Sequence, residues 1–276
     1  MSEPPGSTPR RWEEPSLTRR IARGGRTLVA LSGGVDSALV AALAFEALGK
    51  EALAVTLSGP AVAHAEVERA TRVASDIGLE HHVIPVNPLE SAAYRANPSN
   101  RCYFCRSVEA GRLVSFGAAH GVHQYVDGIH ADDLTDDRPG LLAMNEAGFQ
   151  HPLAEGGWTK ADVRRAARAR GLSNADQPSD ACLASRVAHG QPIDAPLLAR
   201  IESAEAILLE RGFRRVRVRV RGTLARIEVD PQEVARLSEP RLAAEVRAHV
   251  RRLGFEAVEI DPNGYGHRPD LSRLSA

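Results

Sequence analysis

The segment Thr-Leu-Val-Ala-Leu-Ser-Gly-Gly-Val-Asp-Ser at residues 27–37 decides the fold of this chain. An apolar, strand-like run, Thr27–Leu31, leads into a short polar turn, Ser32–Ser37, and a helix-like run begins at Ala38. A turn from a strand into a helix collects unpaired backbone amides and the positive end of the helix dipole, and these groups bind anions. The segment therefore predicts a phosphate-binding turn at the end of a strand.

The residues of this turn suit a bound phosphate. Gly33 and Gly34 let the backbone approach a ligand closely, and the hydroxyls of Ser32 and Ser37 add donors. An ionised Asp36 cannot donate to phosphate, so we expect it to cap the helix or to hold Mg²⁺ on the phosphates. The turn lacks the Gly-Lys-Ser/Thr ending of a Walker loop and resembles the PP-loop of ATP pyrophosphatases. A glycine turn that only joins two elements is the alternative.

Strand and helix patterns alternate along the first half of the chain, which predicts a parallel sheet covered by helices on both faces. Such sheets bind ligands at the carboxyl ends of their strands, where the turn lies. The predicted fold class is therefore α/β, with a Rossmann-like PP-loop domain. The predicted strands are Thr27–Leu31, Ala52–Leu57, His82–Val86 and Gln124–Val126, and the predicted helices are Ala38–Leu48, Glu66–Ile77, Arg106–His120 and Lys160–Arg170.

The pattern changes near residue 190, which predicts a second, smaller α/β or α+β domain. Its predicted elements are a helix at Leu197–Glu210, strands at Val216–Val220, Ala225–Val229 and Ala257–Ile260, and helical residues Val234–Leu253 with a break at Pro240. We assign residues 1–18 to a disordered tail, 19–188 to the PP-loop domain, and 189–276 to a domain for substrate binding and oligomerisation.

The composition of the 276-residue chain limits the classes of partner that we expect it to bind. Lysine plus arginine and aspartate plus glutamate both number 35, so the formal net charge is zero and a general attraction to nucleic acid is not expected. No apolar run approaches the ~20 residues of a membrane span, and Met1–Ser16 is too polar for a secretory signal. We expect a cytoplasmic protein without a membrane partner.

Three cysteines form a second set of chemically informative residues. Cys102 and Cys105 are a C-x-x-C pair, and Cys182 lies far along the chain. Three thiolates suit a [4Fe–4S] cluster with one iron left open, which can accept an exogenous sulfide. The competing assignments are zinc bound with a histidine, a redox-active Cys102–Cys105 pair, and three unrelated buried thiols. The histidine candidates for zinc are His130, His151 and His189.

Two other segments place charged residues where ligands are expected. Asp127-Gly128 and Asp132-Asp133 follow the fourth strand, so this loop is a candidate to hold Mg²⁺ or to position ATP, with solvated acids as the alternative. Arg186 closes the segment that begins at Cys182, where a guanidinium stabilises a thiolate or binds a phosphate. A surface arginine at a domain junction is the alternative for Arg186.

The run Val216-Arg217-Val218-Arg219-Val220-Arg221 alternates with period two, so valines share one face of a strand and arginines share the other. The arginine face suits an anion, because guanidinium groups bind phosphate and carboxylate through paired donors. Glu228 on the next strand is a candidate ion-pair partner for one of these arginines. A solvated basic face that discourages edge pairing is the alternative.

Together these motifs resemble the LarE family, the ATP-dependent sulfur transferases of nickel-pincer cofactor synthesis. The resemblance runs in order from about residue 20 to residue 260. One departure is Ile129-His130, which stands where the family usually has Thr-Asn after the glycine. The matching motifs are Ser32–Ser37, Asn100–Cys105, Asp127-Gly128 with Asp132-Asp133, Arg138–Gly140, Thr159-Lys160, Cys182–Arg186, Arg217–Arg219 and Ala225–Glu228.

The resemblance implies a reaction and its partners. ATP adenylylates a carboxylate of pyridinium-3,5-biscarboxylic acid mononucleotide, pyrophosphate leaves, and sulfur then displaces AMP to give a thiocarboxylate. The implied partners are this small nucleotide substrate and sulfide or another sulfur donor, and the implied assembly is a cytoplasmic, two-domain homo-oligomer. Because this chain has all three cysteines, it resembles the members of the family that deliver sulfur through a [4Fe–4S] cluster.

The resemblance also implies site residues. Cys102, Cys105 and Cys182 would be catalytic and would hold the cluster. The other implied residues are Ser32, Gly33, Gly34, Asp36 and Ser37 for ATP and pyrophosphate, Gly128 and Asp132 for ATP, Asp36 for Mg²⁺, and Ser185, Arg186, Arg217, Arg219 and Glu228 for the substrate.

Three other functions compete with this one. A tRNA thiolase is disfavoured by the zero net charge. A non-catalytic nucleotide-binding regulator predicts ATP binding without release of pyrophosphate. An amide-forming PP-loop enzyme leaves the cysteines unexplained.

Overall fold

The computed structural model describes residues 13–135, 139–178 and 181–266. The chain divides into two compact units. The first comprises the residues up to Tyr94 and those from Pro98 to Asp180, and the second comprises Arg95–Asn97 and the residues from Ala181 onward. This division differs from the predicted boundary at residue 188, because the segment with Cys182 belongs to the second unit.

The first unit contains a four-stranded parallel sheet in the order β3-β2-β1-β4. The central strand β1 (Thr27–Ala30) pairs with β2 (Ala52–Ser58) and with β4 (Gln124–Val126), and β2 pairs with β3 (Glu80–Pro85). The apolar runs of β1 and β2 are buried almost throughout, as expected for parallel strands covered on both faces. The α/β fold class predicted from the sequence is confirmed.

Helices flank this sheet, and α2 is buried along most of its length. It begins at Val35, directly after Gly34, so the turn of residues 32–37 includes its first residues. The helices of the first unit are α1 (Glu14–Ala22), α2 (Val35–Leu48), α3 (His64–Ile77), α4 (Ala92–Arg95, of which the last residue belongs to the second unit), α5 (Arg101–Ala119), α6 (Pro139–Glu146), α7 (Pro152–Glu155) and α8 (Lys160–Ala169).

The structure corrects the extent of the predicted tail at residues 1–18. Residues 14–18 lie in α1, because Leu17 and Ile21 are one turn apart and both are fully buried in the core. Arg170 holds the start of this helix through an ion pair with Glu14 and also binds Glu46 at 2.9 Å. Residues 1–12 lie outside the described part of the chain.

The second unit contains a three-stranded mixed sheet in the order β5-β6-β7. The strands β5 (Val216–Arg221) and β6 (Leu224–Val229) are antiparallel, and β7 (Ala257–Ile260) runs parallel to β6. The three valines of β5 are buried, as the alternating pattern predicts. Helices α9 (Ala195–Glu210), α10 (Val234–Leu237) and α11 (Pro240–Arg252) complete the unit.

Among the described residues, no helix combines the length and the apolar character that crossing a bilayer requires.

Candidate functional site

The turn between β1 and α2 brings several hydrogen-bonding groups together. The hydroxyl oxygens of Ser32 and Ser37 are 3.1 Å apart, and the Gly34 amide lies 3.4 Å from Ser32 Oγ. The first amides of α2 lie at the same place, because the helix begins one residue after Gly34. Hydroxyl donors and helix N-terminal amides in one turn provide the chemistry of an anion-binding site.

Two glycines of the predicted site are required by their surroundings. Gly33 has a left-handed φ of 79°, and a Cβ there would lie 2.8 Å from the Glu66 carbonyl oxygen. A Cβ on Gly128 would lie 2.4 Å from the Ser37 amide nitrogen. The loop after β4 therefore packs directly on the first turn of α2, and Gly128 permits this contact because it has no side chain.

Asp36 faces a basic residue from a distant segment. Its Oδ2 is ion-paired with Nζ of Lys160, the first residue of α8. Its Oδ1 is buried and has no hydrogen-bond partner among the described residues, with His130 Nε2 at 4.0 Å. Lys160 thus neutralises one oxygen, and the other is left without a hydrogen-bond partner among the described residues.

The loop after β4 adds further charges beside this pair. The His130 ring lies 3.8 Å from a carboxylate oxygen of Asp132 and 3.6 Å from one of Asp133. Asp132 also accepts a 2.8 Å hydrogen bond from the Lys160 amide. The structure therefore brings the predicted residues Asp36 and Asp132 together around Lys160 and His130.

Magnesium fits Asp36 as part of a nucleotide complex. Among the described residues, no three His, Cys, Asp or Glu side chains form a group that could hold a metal ion. Mg²⁺ on ATP needs only one or two carboxylates, because the phosphates and water supply its remaining ligands. The unsatisfied Oδ1 of Asp36 matches that requirement.

Cys102 and Cys105 lie in the first two turns of α5, which begins five residues earlier than predicted. The helix begins at Arg101 rather than at Arg106, so the two thiols are three residues apart on one helix face. Cys102 is exposed and Cys105 is buried, and Cys105 Sγ donates to Glu109 Oε1 at 3.3 Å. The spacing fits two ligands of one cluster.

The histidines named as zinc candidates have other surroundings. His151 Nδ1 lies 2.7 Å from Asp127 Oδ1, and its Nε2 lies 2.9 Å from Asn145 Oδ1, so both ring nitrogens are engaged. His130 lies among the carboxylates beside Asp36, and His189 is exposed in the second unit. The contacts of His151 thus give no support to its predicted role as a zinc ligand.

In the second unit, Arg186 is enclosed by protein acceptors. Its Nε and Nη2 each donate over 2.9 Å to a carboxylate oxygen of Glu205, and the two side chains are 3% and 9% exposed. Its Nη1 donates to the carbonyl oxygens of Ala181 and Cys182. These contacts suit an arginine that positions the Cys182 segment, and a substrate contact would have to compete with them.

The other predicted substrate residues of this unit lie beside that segment. Arg219 donates through Nε to both carboxylate oxygens of Glu228 at 3.2 Å and through Nη1 to the Ser185 carbonyl at 3.1 Å. Burial raises the pKa of Glu228, and the Arg219 guanidinium opposes this shift. The predicted ion pair between Glu228 and an arginine of β5 is therefore present.

Arg217 lies on the same face of β5 and is buried. It stands opposite Glu228 in the strand register, and its guanidinium carbon lies 5.5 Å from the centre of the Tyr265 ring. The Tyr265 amide donates to the Val229 carbonyl at 2.7 Å, which fixes this ring beside the sheet. An aromatic face next to the guanidinium stabilises its charge.

Sequence reasoning missed several residues of these clusters. Lys160 was named only within a matching motif and as the start of a predicted helix, and no role was assigned to it. Thr159 and Asp162 form the capping box that starts this helix. No local pattern distinguishes Glu205, which looks like any acidic residue on an amphipathic helix. Arg138, from one matching motif, lies outside the described residues.

Two similar proteins each match 87% of this chain. An uncharacterized protein of Synechocystis sp. is 39% identical over 240 residues, covering 87% of this chain and 90% of the relative. The pyridinium-3,5-bisthiocarboxylic acid mononucleotide synthase of Lactiplantibacillus plantarum is 31% identical over 242 residues, with 87% of each chain covered. The chain belongs to the LarE family.

Similarity to a second group of enzymes is confined to the first part of the chain. The sequence profile of the NAD synthase family matches residues 17–109. The NH(3)-dependent NAD(+) synthetase of Wolinella succinogenes is 36% identical over 84 residues, which is 30% of this chain and 33% of the relative. This LarE-family chain thus shares a PP-loop unit with ATP-using enzymes, and the similarity supports an ATP-using enzyme.

Proposed function

We propose that the chain is an ATP-dependent sulfur transferase that acts on pyridinium-3,5-biscarboxylic acid mononucleotide. ATP adenylylates one carboxylate of this substrate with loss of pyrophosphate. Sulfide then attacks the acyl carbon, the bond to the AMP oxygen breaks, and AMP leaves with its electron pair. The product is a thiocarboxylate for the nickel-pincer cofactor.

The turn of residues 32–37 carries this proposal. At the start of α2, the Ser32 hydroxyl oxygen lies 3.1 Å from that of Ser37 and 3.4 Å from the Gly34 amide nitrogen. We assign these groups to the pyrophosphate part of ATP, because donors fixed in advance stabilise the charge on the departing group. The 31% identity to the synthase over most of the chain supports the choice of substrate.

We assign Lys160 and Asp36 to the charge of the bound nucleotide. Lys160 neutralises Asp36 in the structure, and both lie beside the helix N-terminus. Asp36 Oδ1, which has no hydrogen-bond partner among the described residues, would hold Mg²⁺ on the phosphates, and Lys160 would supply positive charge beside them. Gly128 keeps the loop with Asp132 packed against this turn.

We assign Cys102, Cys105 and Cys182 to a [4Fe–4S] cluster, which supplies sulfide from its open iron when bound. This assignment rests on the number and spacing of the thiols and on the family. For Cys105 to become a ligand, its proton must leave the contact with Glu109. Arg106 assists this change, because it already neutralises Glu109 at 2.9 Å.

We assign the second unit to substrate binding and to assembly of a homo-oligomer. Arg217 and Arg219, on one face of β5, would bind the phosphate or the carboxylates of the substrate. Glu228 and Ser185 hold Arg219 in place, and Arg186 holds the backbone of Cys182.

The proposal is tested by release of pyrophosphate. Protein purified without oxygen is mixed with Mg²⁺ and ATP, with the bis-acid nucleotide, with bulk tRNA, or with no acceptor. We expect release only with the bis-acid nucleotide, and about four irons per chain. Release with tRNA would favour a thiolase, ATP binding without any release would favour a regulator, and colourless protein with stoichiometric zinc would exclude the cluster.

A further inference from the structure

Two side chains from different elements hold the carbonyl oxygen of Gly33. Asn174 Nδ2, from the turn after α8, donates to it at 2.9 Å in a buried position. Arg69 Nε, from α3, donates to the same oxygen at 3.2 Å. This carbonyl belongs to the glycine whose left-handed φ shapes the phosphate-binding turn.

The contacts of Asn174 and Arg69 with the Gly33 carbonyl also orient the Gly34 amide. In a planar trans peptide the C=O and N–H bonds point in opposite directions. Because the Gly33 carbonyl faces Asn174 and Arg69, the Gly34 N–H faces away from both, toward Ser32 Oγ at 3.4 Å. A contact of that length is weak, so the amide can exchange it for a charged acceptor.

The contact with Gly33 accounts for the position of Asn174. A carbonyl oxygen only accepts, so the amide nitrogen of Asn174 must be the atom that faces it. Its Oδ1 is buried and has no hydrogen-bond partner among the described residues, and the residue is 4% exposed. Burying an amide whose oxygen has no hydrogen-bond partner is unfavourable. The hydrogen bond to the Gly33 carbonyl is therefore the contact that accounts for an asparagine at this position.

We propose that Asn174, together with Arg69, is a positioning residue that turns the Gly34 amide toward the pyrophosphate part of ATP. The inference rests on the proposed function for the identity of the ligand. Without the two donors, the peptide between two glycines can rotate, because glycine tolerates both signs of φ. The amide would then leave the anion site, and the affinity for pyrophosphate would fall.

The test compares Asn174→Leu, which has a similar shape and cannot donate, with Arg69→Met, which keeps the aliphatic stem. Ser173→Ala is the matched control, because Ser173 lies in the same turn and bonds to exposed Asp76 at 3.0 Å. Calorimetry measures the affinity of each protein for pyrophosphate and for AMP, and melting temperatures check the fold. We expect the first two variants to bind pyrophosphate about tenfold more weakly, which is about 1.4 kcal/mol, with AMP binding and the control unchanged.

The alternative outcomes are distinguishable. Equal losses of pyrophosphate and AMP affinity would reduce Asn174 to a structural residue and overturn the proposal. Unchanged pyrophosphate affinity in both variants would overturn it while leaving the proposed function intact. A wild-type protein that binds neither ATP nor pyrophosphate would overturn the proposed function as well. Arg69 is half-buried on α3, whereas Asn174 is buried, so Arg69→Met keeps the test decisive if Asn174→Leu does not fold.

Discussion

Removing Arg186 from its buried ion pair with Glu205 tests how the segment with Cys182 is held in place. Arg186→Met keeps the aliphatic stem and removes the guanidinium, which makes two 2.9 Å hydrogen bonds to Glu205. Glu205 then stays buried with the Val218 amide, at 2.9 Å, as its remaining partner among the described residues. Removing one partner of a buried ion pair costs about 3–5 kcal/mol, so we expect a loss of that size in the free energy of unfolding.

Urea titration followed by circular dichroism measures this loss. Arg241→Met is the control, because Arg241 pairs with Glu245 in the same unit with side chains 94% and 50% exposed, and exposed pairs contribute about 1 kcal/mol or less. Adding Glu205→Gln to Arg186→Met removes the uncompensated charge and keeps an acceptor for Val218, so the double variant should be more stable than Arg186→Met. If Arg186→Met costs no more than the control, Arg186 does not brace this segment.

Three other variants test separate parts of the site. Gly128→Ala should weaken ATP binding about tenfold, because the new Cβ would lie 2.4 Å from the Ser37 amide nitrogen. Gly111→Ala is its control, because a Cβ at Gly111 on α5 would meet no atom within 4 Å. Equal ATP affinities of the two variants would contradict the packing argument. Cys182→Ala should abolish sulfur transfer and keep part of the acceptor-dependent pyrophosphate release, and the opposite result would reverse these roles. Burial raises the pKa of Glu228, so the folded state favours the protonated carboxyl. The stability that proton binding contributes is therefore lost as pH rises from about 4.3, the ordinary pKa of glutamate, through the raised pKa. Glu228→Gln should therefore gain stability relative to wild type as pH rises from about 4.3 through the raised pKa of Glu228, and a difference in melting temperature that stays constant with pH would count against this.

The parallel sheet could be predicted because its strands are short apolar runs separated by helical patterns. Val29 and Val55, for example, are buried with almost no exposed surface, so hydrophobicity alone marks their strands. The start of α5 could not be predicted in the same way. The residues Arg101–Cys105 are mixed polar and aromatic and show no apolar period, so nothing in the sequence extends the helix back from Arg106.

The turn of residues 32–37 could be predicted as a unit because its residues are contiguous in sequence. The partners of its side chains come from distant segments, as in the pairing of Asp36 with Lys160 and of Gly33 with Asn174. Such contacts depend on how α8 packs near α2, which no local pattern encodes. The same holds for Arg186, whose predicted role at the substrate took no account of Glu205.

Mass spectrometry of the acceptor tests the central claim most directly. The protein, prepared without oxygen, is incubated with Mg²⁺, ATP, sulfide and the bis-acid nucleotide. Replacement of one carboxylate oxygen by sulfur is expected, with one AMP and one pyrophosphate formed for each sulfur transferred and more than one turnover per chain. An acceptor of unchanged mass when ATP is bound, or sulfur incorporation without ATP, would contradict the account.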